Sequence, residues 1–261
     1  MSEIAMRKSN VLAKLRAGDV VNCVKLNLAD ARAAEIAALC GVDCIWLDVE
    51  HVPNTLHDIE NQIRAAKAYD TDTIVRVERG SYSDLIRPLE MDATGIMVPH
   101  VMSANDARMV AKTTRFHPVG RRPLDGGNAD GAYCAIPVED YLEQASRERM
   151  VIVQIEDPEA MDELDAIAQV EGIDMLFFGP GDYSHALGVA GQMDHPEVQE
   201  GFRRVAEACR KHGKFAGTVT SLEAIAENVD MGYQFLSSGA DVLALREMFG
   251  NVVDAFKKAV E

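Results

Sequence analysis

Three apolar segments of this sequence each end in ionisable residues. They read Trp-Leu-Asp-Val-Glu-His at 46–51, Val-Ile-Val-Gln-Ile-Glu-Asp at 151–157 and Met-Leu-Phe-Phe-Gly-Pro-Gly-Asp at 175–182. Apolar runs of this length predict buried strands, and enzymes with parallel sheets place their chemistry at the C-terminal ends of the strands. The recurrence of the pattern predicts one site built from several strand ends.

Two of the acids, Glu156 and Asp182, favour a metal site. They end consecutive predicted strands, which are neighbours in a closed barrel, so their carboxylates can converge. Two hard oxygen ligands without a cysteine or a second histidine suit Mg²⁺ or a related divalent ion that keeps several waters and leaves room for a chelating substrate. The alternative is that each acid caps the helix that follows it, as Asp182 would for a turn beginning at Tyr183.

The residues beside these acids are suited to bind a small anion. Gly179 and Gly181 allow a ligand to approach the backbone, whose free N–H groups bind carboxylate or phosphate. The same Gly-Pro-Gly segment is also ordinary turn chemistry. Gln154 lies two residues before Glu156 and therefore faces the same side of the strand, where a bound ligand would supply the partner that a buried amide needs.

Arg76 stands in an otherwise apolar segment, Thr-Ile-Val-Arg-Val, which predicts the third strand. A buried guanidinium without an anion is costly. A structural ion pair with Glu50 or Glu78 would satisfy it. If Arg76 instead faces the barrel axis beside the acids, it stabilises negative charge developing on a substrate oxygen. The residues alone leave both interpretations open.

His51, directly after the second strand, is the strongest candidate for a general base. Asp92, just before the fourth strand, would orient its imidazole by accepting the second N–H. His100, near the end of the fourth strand, is a lesser rival. The remaining histidines lie in predicted loops or helices: His57, His117, His185, His195 and His212.

The composition limits the class of protein. The chain has 261 residues, 48% of them hydrophobic, which suffices for one domain with a sizeable core. A formal net charge of −16 argues against nucleic acid or an anionic membrane as partner, because both require a concentrated basic surface. No apolar run approaches the roughly 18 residues of a membrane span, and no signal core is present. Five cysteines without a C-x-x-C suit reduced thiols, so we expect a cytoplasmic enzyme.

Strand and helix patterns alternate along the whole chain, so residues 1–261 are predicted to form a single domain. Eight strands, each followed by a helix, indicate a closed parallel (β/α)8 barrel of the TIM type. No G-x-G-x-x-G follows the first strand, which gives a dinucleotide site little support. The predicted strands lie near 20–28, 44–50, 73–77, 95–101, 150–156, 173–179, 215–220 and 235–242. The predicted helices lie near 31–40, 57–68, 84–91, 104–116, 158–169, 196–212, 221–231 and 243–259.

The longest irregular segment spans 117–137. Because it follows the fourth strand, we expect it on the catalytic face as a lid or substrate-selecting loop. Its Arg121 and Arg122 would favour a substrate with a distal carboxylate or several hydroxyls. The alternative is that both arginines pair with acids such as Asp125 or Asp130.

Taken together, the motifs resemble the HpcH/HpaI family of metal-dependent class II pyruvate aldolases, which includes 4-hydroxy-2-oxoheptanedioate and 2-keto-3-deoxy sugar acid aldolases. The similarity runs from about residue 10 to the C-terminus, and the ordered set of motifs is highly specific. Its carriers are Leu-Asp-Val-Glu-His (47–51) with Pro53-Asn54, Val-Arg-Val (75–77), Ile-Met-Val-Pro (96–99), Val-Gln-Ile-Glu (153–156), Glu-Gly-Ile-Asp (171–174), Phe-Gly-Pro-Gly-Asp-Tyr-Ser (178–184) and His-Pro-Glu-Val (195–198).

The resemblance implies roles in binding the 2-keto acid. Glu156 and Asp182 would bind the divalent metal, Mg²⁺, Mn²⁺ or Co²⁺, with Asp182 also close to the substrate. Gln154, Gly179 and Gly181 would contact the pyruvate moiety.

The resemblance also implies the groups that act on the bond. Arg76 would polarise the keto oxygen, and His51 with Asp92 would form an acid–base dyad. Arg122 aligns with a family arginine and would contact the aldehyde half. The chain departs from the family at two places near that half: it reads Gly120-Arg121-Arg122-Pro123 where Gly-x-Arg-Gly is frequent, and Ala-Gly-Thr-Val-Thr where an aliphatic residue is common in strand seven.

The implied reaction is reversible cleavage of a 4-hydroxy-2-oxo acid to pyruvate and an aldehyde. A Claisen-type condensation or oxaloacetate decarboxylation on the same site is the alternative, and a catalytically silent metabolite-binding protein is a third possibility that has no use for the His51 base. Relatives assemble as hexamers that exchange C-terminal helices, so a homo-oligomer is expected. An apolar stripe on the last helix is compatible with exchange or with an ordinary core face: Leu243, Leu245, Met248, Phe249, Val252 and Phe256.

Overall fold

The computed structural model describes residues 4–260, and its eight strands close into one barrel. Each strand pairs in parallel with the next, and the last pairs with the first. The predicted (β/α)8 barrel is therefore confirmed. The strands are β1 (Val21–Lys25), β2 (Cys44–Asp48), β3 (Asp72–Arg76), β4 (Gly95–Val98), β5 (Met150–Ile155), β6 (Met175–Phe178), β7 (Phe215–Val219) and β8 (Phe235–Ala240).

One helix precedes the first strand, others return the chain from each strand to the next around the outside of the barrel, and one follows the last strand. They are α1 (Asn10–Ala17), α2 (Ala31–Leu39), α3 (Leu56–Lys67), α4 (Tyr82–Glu90), α5 (Ala104–Thr114), α6 (Val138–Glu148), α7 (Pro158–Asp162), α8 (Leu164–Ala168), α9 (Pro180–Ala186), α10 (Pro196–His212), α11 (Ile225–Met231) and α12 (Asp241–Val260), with a 3-10 turn at Ala129–Gly131.

The two-residue period of the strands sends alternate side chains into the barrel. On β2 these are Cys44, Trp46 and Asp48, so the lower layers are apolar and the uppermost layer is charged. The Trp46 ring meets Phe177 edge to face, with the ring centroids 5.5 Å apart. Gly217 on β7 makes room for Phe177, since an added Cβ would lie 2.7 Å from that ring. The interior is a packed core beneath one polar layer.

Helix α1 closes the N-terminal end of the barrel. Its Val11, Leu12 and Leu15 pack into the interior cluster, and Ser9 caps the helix by accepting the N–H of Leu12 at 3.0 Å. The Ser9 hydroxyl also donates to buried Asp72 at 2.6 Å. Helices α1, α6 and α9 were not predicted from the sequence, and α7 and α8 were predicted as one helix.

Segment 117–137 lies at the N-terminal end of the barrel, so the prediction of a lid on the catalytic face was wrong. It follows α5 rather than β4 directly, and α5 has already carried the chain back to that end. The backbone N–H of Arg122 donates to the carbonyl of Arg115 at 2.8 Å. Arg115 in turn pairs with Asp174, directly before β6.

Helix α12 does not pack its apolar stripe onto its own barrel. None of its side chains is buried, and Phe249 and Phe256 are 63% and 70% exposed. Beside its first turns lies an apolar groove of about 890 Å³, which α2 lines with Ile36, Ala37 and other side chains. The stripe is therefore not a core face within this chain. Among residues 4–260, no helix is long and apolar enough to cross a membrane.

Candidate active site

The charged layer at the C-terminal end of the barrel centres on Asp48 and Arg76. Asp48 is fully buried and receives two hydrogen bonds from Arg76, Nε to Oδ1 at 3.0 Å and Nη2 to Oδ2 at 2.6 Å. The Nζ of Lys25 lies 2.8 Å from the same carboxylate. Burial acts to raise the pKa of Asp48, but the hydrogen bonds and charges of Arg76 and Lys25 lower it to about 2. Asp48 is therefore a permanent anion that holds Arg76 in place.

Arg76 meets both expectations left open by the sequence. Its Nη1 lies 3.0 Å from Glu50 Oε2, so the structural ion pair is present. Its guanidinium also faces the barrel axis, where it lies over the Trp46 ring at 4.9 Å from the centroid. The bidentate contact with Asp48 occupies two of its five N–H groups. The remaining donors are held in a fixed direction at the site.

Glu156 is a buried carboxylate without a lysine or arginine partner among residues 4–260. Its oxygens accept the backbone N–H of His100 at 2.9 Å and the Nε2 of Gln154 at 2.8 Å. Burial raises its pKa to about 7, against the effect of His100 and with added repulsion from Asp182 and Glu50. The Gln154 contact shows that the two side chains face the same side of β5, as the sequence period predicts.

Asp182 and two glycines complete this part of the site. Asp182 is exposed in the first turn of α9, whose N-cap is Gly179, so Asp182 does not serve as the cap. A Cβ at Gly179 would lie 2.5 Å from Glu156 Oε2, whereas one at Gly181 would meet open space. Gly179 is required because the Glu156 carboxylate occupies the volume of a side chain.

His100, which the sequence indicated as a weaker candidate for the base than His51, is held firmly in the site. Its backbone adopts the left-handed region, with φ of 51°, which is rare for residues other than glycine. Its Nδ1 lies 3.0 Å from Asp157 Oδ2, and its carbonyl accepts a hydrogen bond from Arg79 at 2.7 Å. Burial lowers the pKa of His100, but Asp157 and the charges of Glu156 and Glu50 raise it overall.

His51 stands at the rim of the site, with its side chain 59% exposed and its Nε2 3.6 Å from Glu50. The structure does not bring Asp92 to it. Asp92 precedes β4, at the opposite end of the barrel, where its carboxylate hydrogen-bonds Lys67 and Arg149. The predicted His51–Asp92 dyad is therefore not formed within one chain.

Arg122 also lies away from the site, because segment 117–137 is at the N-terminal end. It is 5% exposed, and its Nη2 donates to Asp130 at 2.9 Å and to the hydroxyl of Tyr141 at 3.3 Å. Its guanidinium stacks over Phe116 at 4.9 Å. The alternative that Arg122 pairs with an acid holds, and within one chain it does not reach a substrate.

The arrangement of the site suits a metal ion that the protein holds by few ligands. Among residues 4–260, no group of three or more His, Cys, Asp or Glu side chains is arranged to hold a metal. Glu156 and Asp182 offer two oxygen donors, and the Oε1 of Gln154 is buried without a hydrogen-bond partner. An uncompensated buried carboxylate beside an orphaned acceptor fits a hydrated divalent cation whose remaining positions go to water or substrate.

Comparisons with known proteins agree with this geometry. The sequence pattern of the HpcH/HpaI aldolase/citrate lyase family matches residues 24–247. The chain belongs to this family. It is 35% identical over 248 residues to the 2-keto-3-deoxy-L-rhamnonate aldolase of Salmonella paratyphi A (strain ATCC 9150 / SARB42), covering 93% of this chain and 91% of the relative. The family predicted from the motifs is confirmed, and with it the assignment as a carbon–carbon lyase.

Solved structures of the family share the fold over nearly the whole chain. The HpcH/HpaI aldolase from Desulfitobacterium hafniense DCB-2 superposes with a TM-score of 0.89 at 29% identity, covering 94% of this chain and 95% of that one. The citrate synthase SbnG superposes with a TM-score of 0.87 at 32% identity, covering 96% and 98%. The same barrel therefore serves both carbon–carbon cleavage and carbon–carbon synthesis among these proteins.

The raised pKa of Glu156 predicts that the stability of the metal-free protein depends on pH. Its pKa is 4.5 in an ordinary environment and about 7 here, so the folded state binds the proton more tightly than the unfolded state. This group stabilises the fold fully below about pH 4.5, and that contribution is lost as the pH rises through about 7. Glu156→Gln removes the effect. In urea unfolding with EDTA, the free energy of unfolding of the variant should rise relative to that of the natural protein by up to about 3 kcal/mol from pH 5 to pH 8. A constant difference across this range would contradict the assignment.

Proposed function

We propose that the chain binds a divalent metal through Glu156 and Asp182 and reversibly cleaves a 4-hydroxy-2-oxo acid to pyruvate and an aldehyde. The observation that carries the proposal is the Glu156 carboxylate, which is buried without a lysine or arginine partner at the same end of the barrel as the oriented Arg76. The 2-keto-3-deoxy sugar acid named for the similar aldolases belongs to this substrate class. The five cysteines are free thiols, which supports a reducing cytoplasmic setting.

The residues of the chain divide the work as follows. A divalent ion at Glu156 and Asp182, whether Mg²⁺, Mn²⁺ or Co²⁺, supplies Lewis-acid stabilisation of negative charge on the 2-keto acid. Arg76 donates the N–H groups left free by Asp48 to the keto oxygen, where charge accumulates as the C3–C4 bond breaks. Since Asp48 and Glu50 hold the guanidinium before the substrate arrives, little reorganisation is needed.

Around the keto oxygen, the substrate and its bound water would contact Gln154, Gly181 and His51. The Oε1 of Gln154 is a buried acceptor that a bound water can satisfy, and the open space at Gly181 lets a carboxylate approach the start of α9. His51, exposed at the rim, accepts the proton of the C4 hydroxyl during cleavage and returns it during condensation. Within the chain the acid beside its imidazole is Glu50, whose Oε2 lies 3.6 Å from Nε2, beyond hydrogen-bond distance.

A synthase reaction is the second candidate. The structural match to the protein named citrate synthase SbnG extends over 98% of that protein's chain. The pyruvate half of the site serves either reaction. The two differ in whether a C4 hydroxyl proton must be removed, so the dependence on His51 separates them.

The metal assignment predicts that EDTA abolishes pyruvate release from 4-hydroxy-2-oxo acids and that Mg²⁺, Mn²⁺ or Co²⁺ restores it. Glu156→Gln should weaken Mn²⁺ binding measured by calorimetry while circular dichroism reports a folded barrel, because a neutral amide is a poorer ligand. Borohydride added with pyruvate should trap no covalent adduct. Full activity in EDTA, or a trapped adduct, would overturn the proposal.

Arg76 and His51 should fail in different ways. Arg76→Ala should slow both aldol cleavage and oxaloacetate decarboxylation by about 10² or more, since the keto oxygen gains charge in both. Because this change leaves Asp48 without its bidentate partner, Arg76→Lys tests the same point while keeping the charge. His51→Ala should impair cleavage more than decarboxylation and remove the acid limb of the pH–rate profile.

The control for His51 is His57→Ala, which changes another exposed histidine, on α3. Steady-state rates of both reactions in each variant decide the division of labour. Equal losses in the two reactions on changing His51 would contradict its role at the C4 hydroxyl.

We also infer that the protein is a homo-oligomer, a hexamer as in the family resemblance, in which α12 packs on a neighbouring copy. Two observations support this inference: the apolar stripe of α12 is exposed, and an apolar groove of comparable character lies open beside α2. An exposed patch of this kind marks an interaction surface. The groove and the stripe are complementary in chemistry, as an exchanged helix requires.

Replacing Phe249 and Phe256 together by Asp should reduce the mass measured by light scattering to that of a smaller assembly, because burying the two charges is costly. Lys257→Glu on the same helix is the matched control and should leave the mass unchanged. A natural protein that is monomeric at micromolar concentration would refute the inference.

A further inference from the structure

We infer that His100 determines selectivity for the aldehyde half of the substrate, with its Nε2 hydrogen-bonded to a hydroxyl on the aldehyde carbon next to the reacting one. This inference rests on the proposed aldol reaction and assigns a residue to a part of the substrate that Arg122 does not reach within one chain. Its basis is the way in which the imidazole is held in the mouth of the barrel.

Three different residues anchor His100, two of them through its backbone and one through its ring. The backbone N–H donates to Glu156 at 2.9 Å, the carbonyl accepts from Arg79 at 2.7 Å, and Nδ1 lies 3.0 Å from Asp157. Together these contacts maintain a left-handed backbone, with φ of 51°, that a residue with a Cβ does not adopt freely. Strained backbone held by its surroundings in this way clusters at functional sites.

The anchors leave one polar atom of His100 available to a ligand. Nδ1 is engaged by Asp157, and Nε2 lies 3.8 Å from Glu50 Oε1, beyond hydrogen-bond distance. The side chain is 36% exposed, so the ring reaches open space at the end of the barrel. An imidazole with one nitrogen bound to a carboxylate presents the other in a defined direction.

The position of Nε2 matches the aldehyde half rather than the pyruvate half. Glu50 lies between the two imidazoles, with His100 Nε2 at 3.8 Å from one oxygen and His51 Nε2 at 3.6 Å from the other. If His51 serves the C4 hydroxyl, the next substituent along the substrate chain lies within reach of His100. Glu156, at which we place the metal and the keto acid, lies at the other edge of the ring, 3.7 Å from Nδ1.

The charges around His100 define the class of aldehyde. Glu50, Glu156 and Asp157 all face the ring, and the cationic groups nearby are engaged: Arg79 with Asp106, Arg76 and Lys25 with Asp48. A second carboxylate on the substrate would meet this negative field, whereas a hydroxyl both donates and accepts and suits the imidazole. The site therefore favours neutral 2-hydroxyaldehydes over aldehydes that carry an acid.

The test compares glycolaldehyde, acetaldehyde and succinic semialdehyde in condensation with pyruvate. His100→Asn keeps a residue that tolerates the left-handed backbone but shortens the side chain out of reach. We expect kcat/KM for glycolaldehyde to fall about tenfold, mainly through KM, as for one lost hydrogen bond to a polar group. The preference for glycolaldehyde over acetaldehyde should shrink by the same factor.

Asp157→Ala is the second variant, because it keeps the imidazole and removes the anchor of Nδ1. It should reduce the same preference by a smaller factor. His57→Asn, the same change at an exposed position on α3, is the matched control and should alter none of the ratios. Mn²⁺ affinity measured by calorimetry should stay within twofold in His100→Asn, since the backbone N–H to Glu156 is retained.

The outcomes separate the inference from the proposed function. If His100→Asn leaves the ratio of kcat/KM for glycolaldehyde to that for acetaldehyde unchanged, the role of His100 is overturned while the aldol reaction still stands. A loss of Mn²⁺ affinity equal to the loss of activity would show that His100 acts through Glu156 and would also overturn it. If the natural protein condenses pyruvate with none of the three aldehydes, both the inference and the proposed function are overturned.

Discussion

The ion pair between Arg76 and Asp48 sets the charge balance at the catalytic end of the barrel. Asp48 is fully buried, and it engages Arg76 by two hydrogen bonds and Lys25 by a third contact. These are the cationic side chains that reach the axis beside it, so Glu156 is left without one. A barrel end with paired cations and an unpaired buried acid favours the binding of an external cation.

The candidate site follows from the sequence wherever a strand period decides the direction of a side chain. Gln154 and Glu156 are two residues apart on β5 and touch in the structure. Arg76 faces the axis for the same reason, one period beyond Ile74. The fold was equally predictable, because eight buried strands alternating with helices have few other arrangements. The sequence period does not tell at which end of its own barrel a residue outside the strands lies. Asp92 precedes its strand and Arg122 follows a helix, so both lie at the N-terminal end.

Other features of the site could not be predicted from the sequence. The left-handed backbone of His100 depends on Glu156 and Arg79, which are distant in sequence, so its rank beside His51 could not be judged. The central role of Asp48 was missed because it stands among three ionisable residues at one strand end. The helix α1, in contrast, carried a readable signal. Ser9 caps its start, and Gly18 ends it with φ of 87°.

The exposed stripe of α12 would link the stability of the fold to the protein concentration if, as we propose, another copy covers it. Within one chain this helix gains little from the hydrophobic effect, because none of its apolar side chains is buried. Because a copy that covers the stripe would bind only the folded form, the free energy of unfolding would grow with the logarithm of the concentration. The rate of synthesis would then affect this enzyme twice, through the number of active sites and through the stability of each barrel.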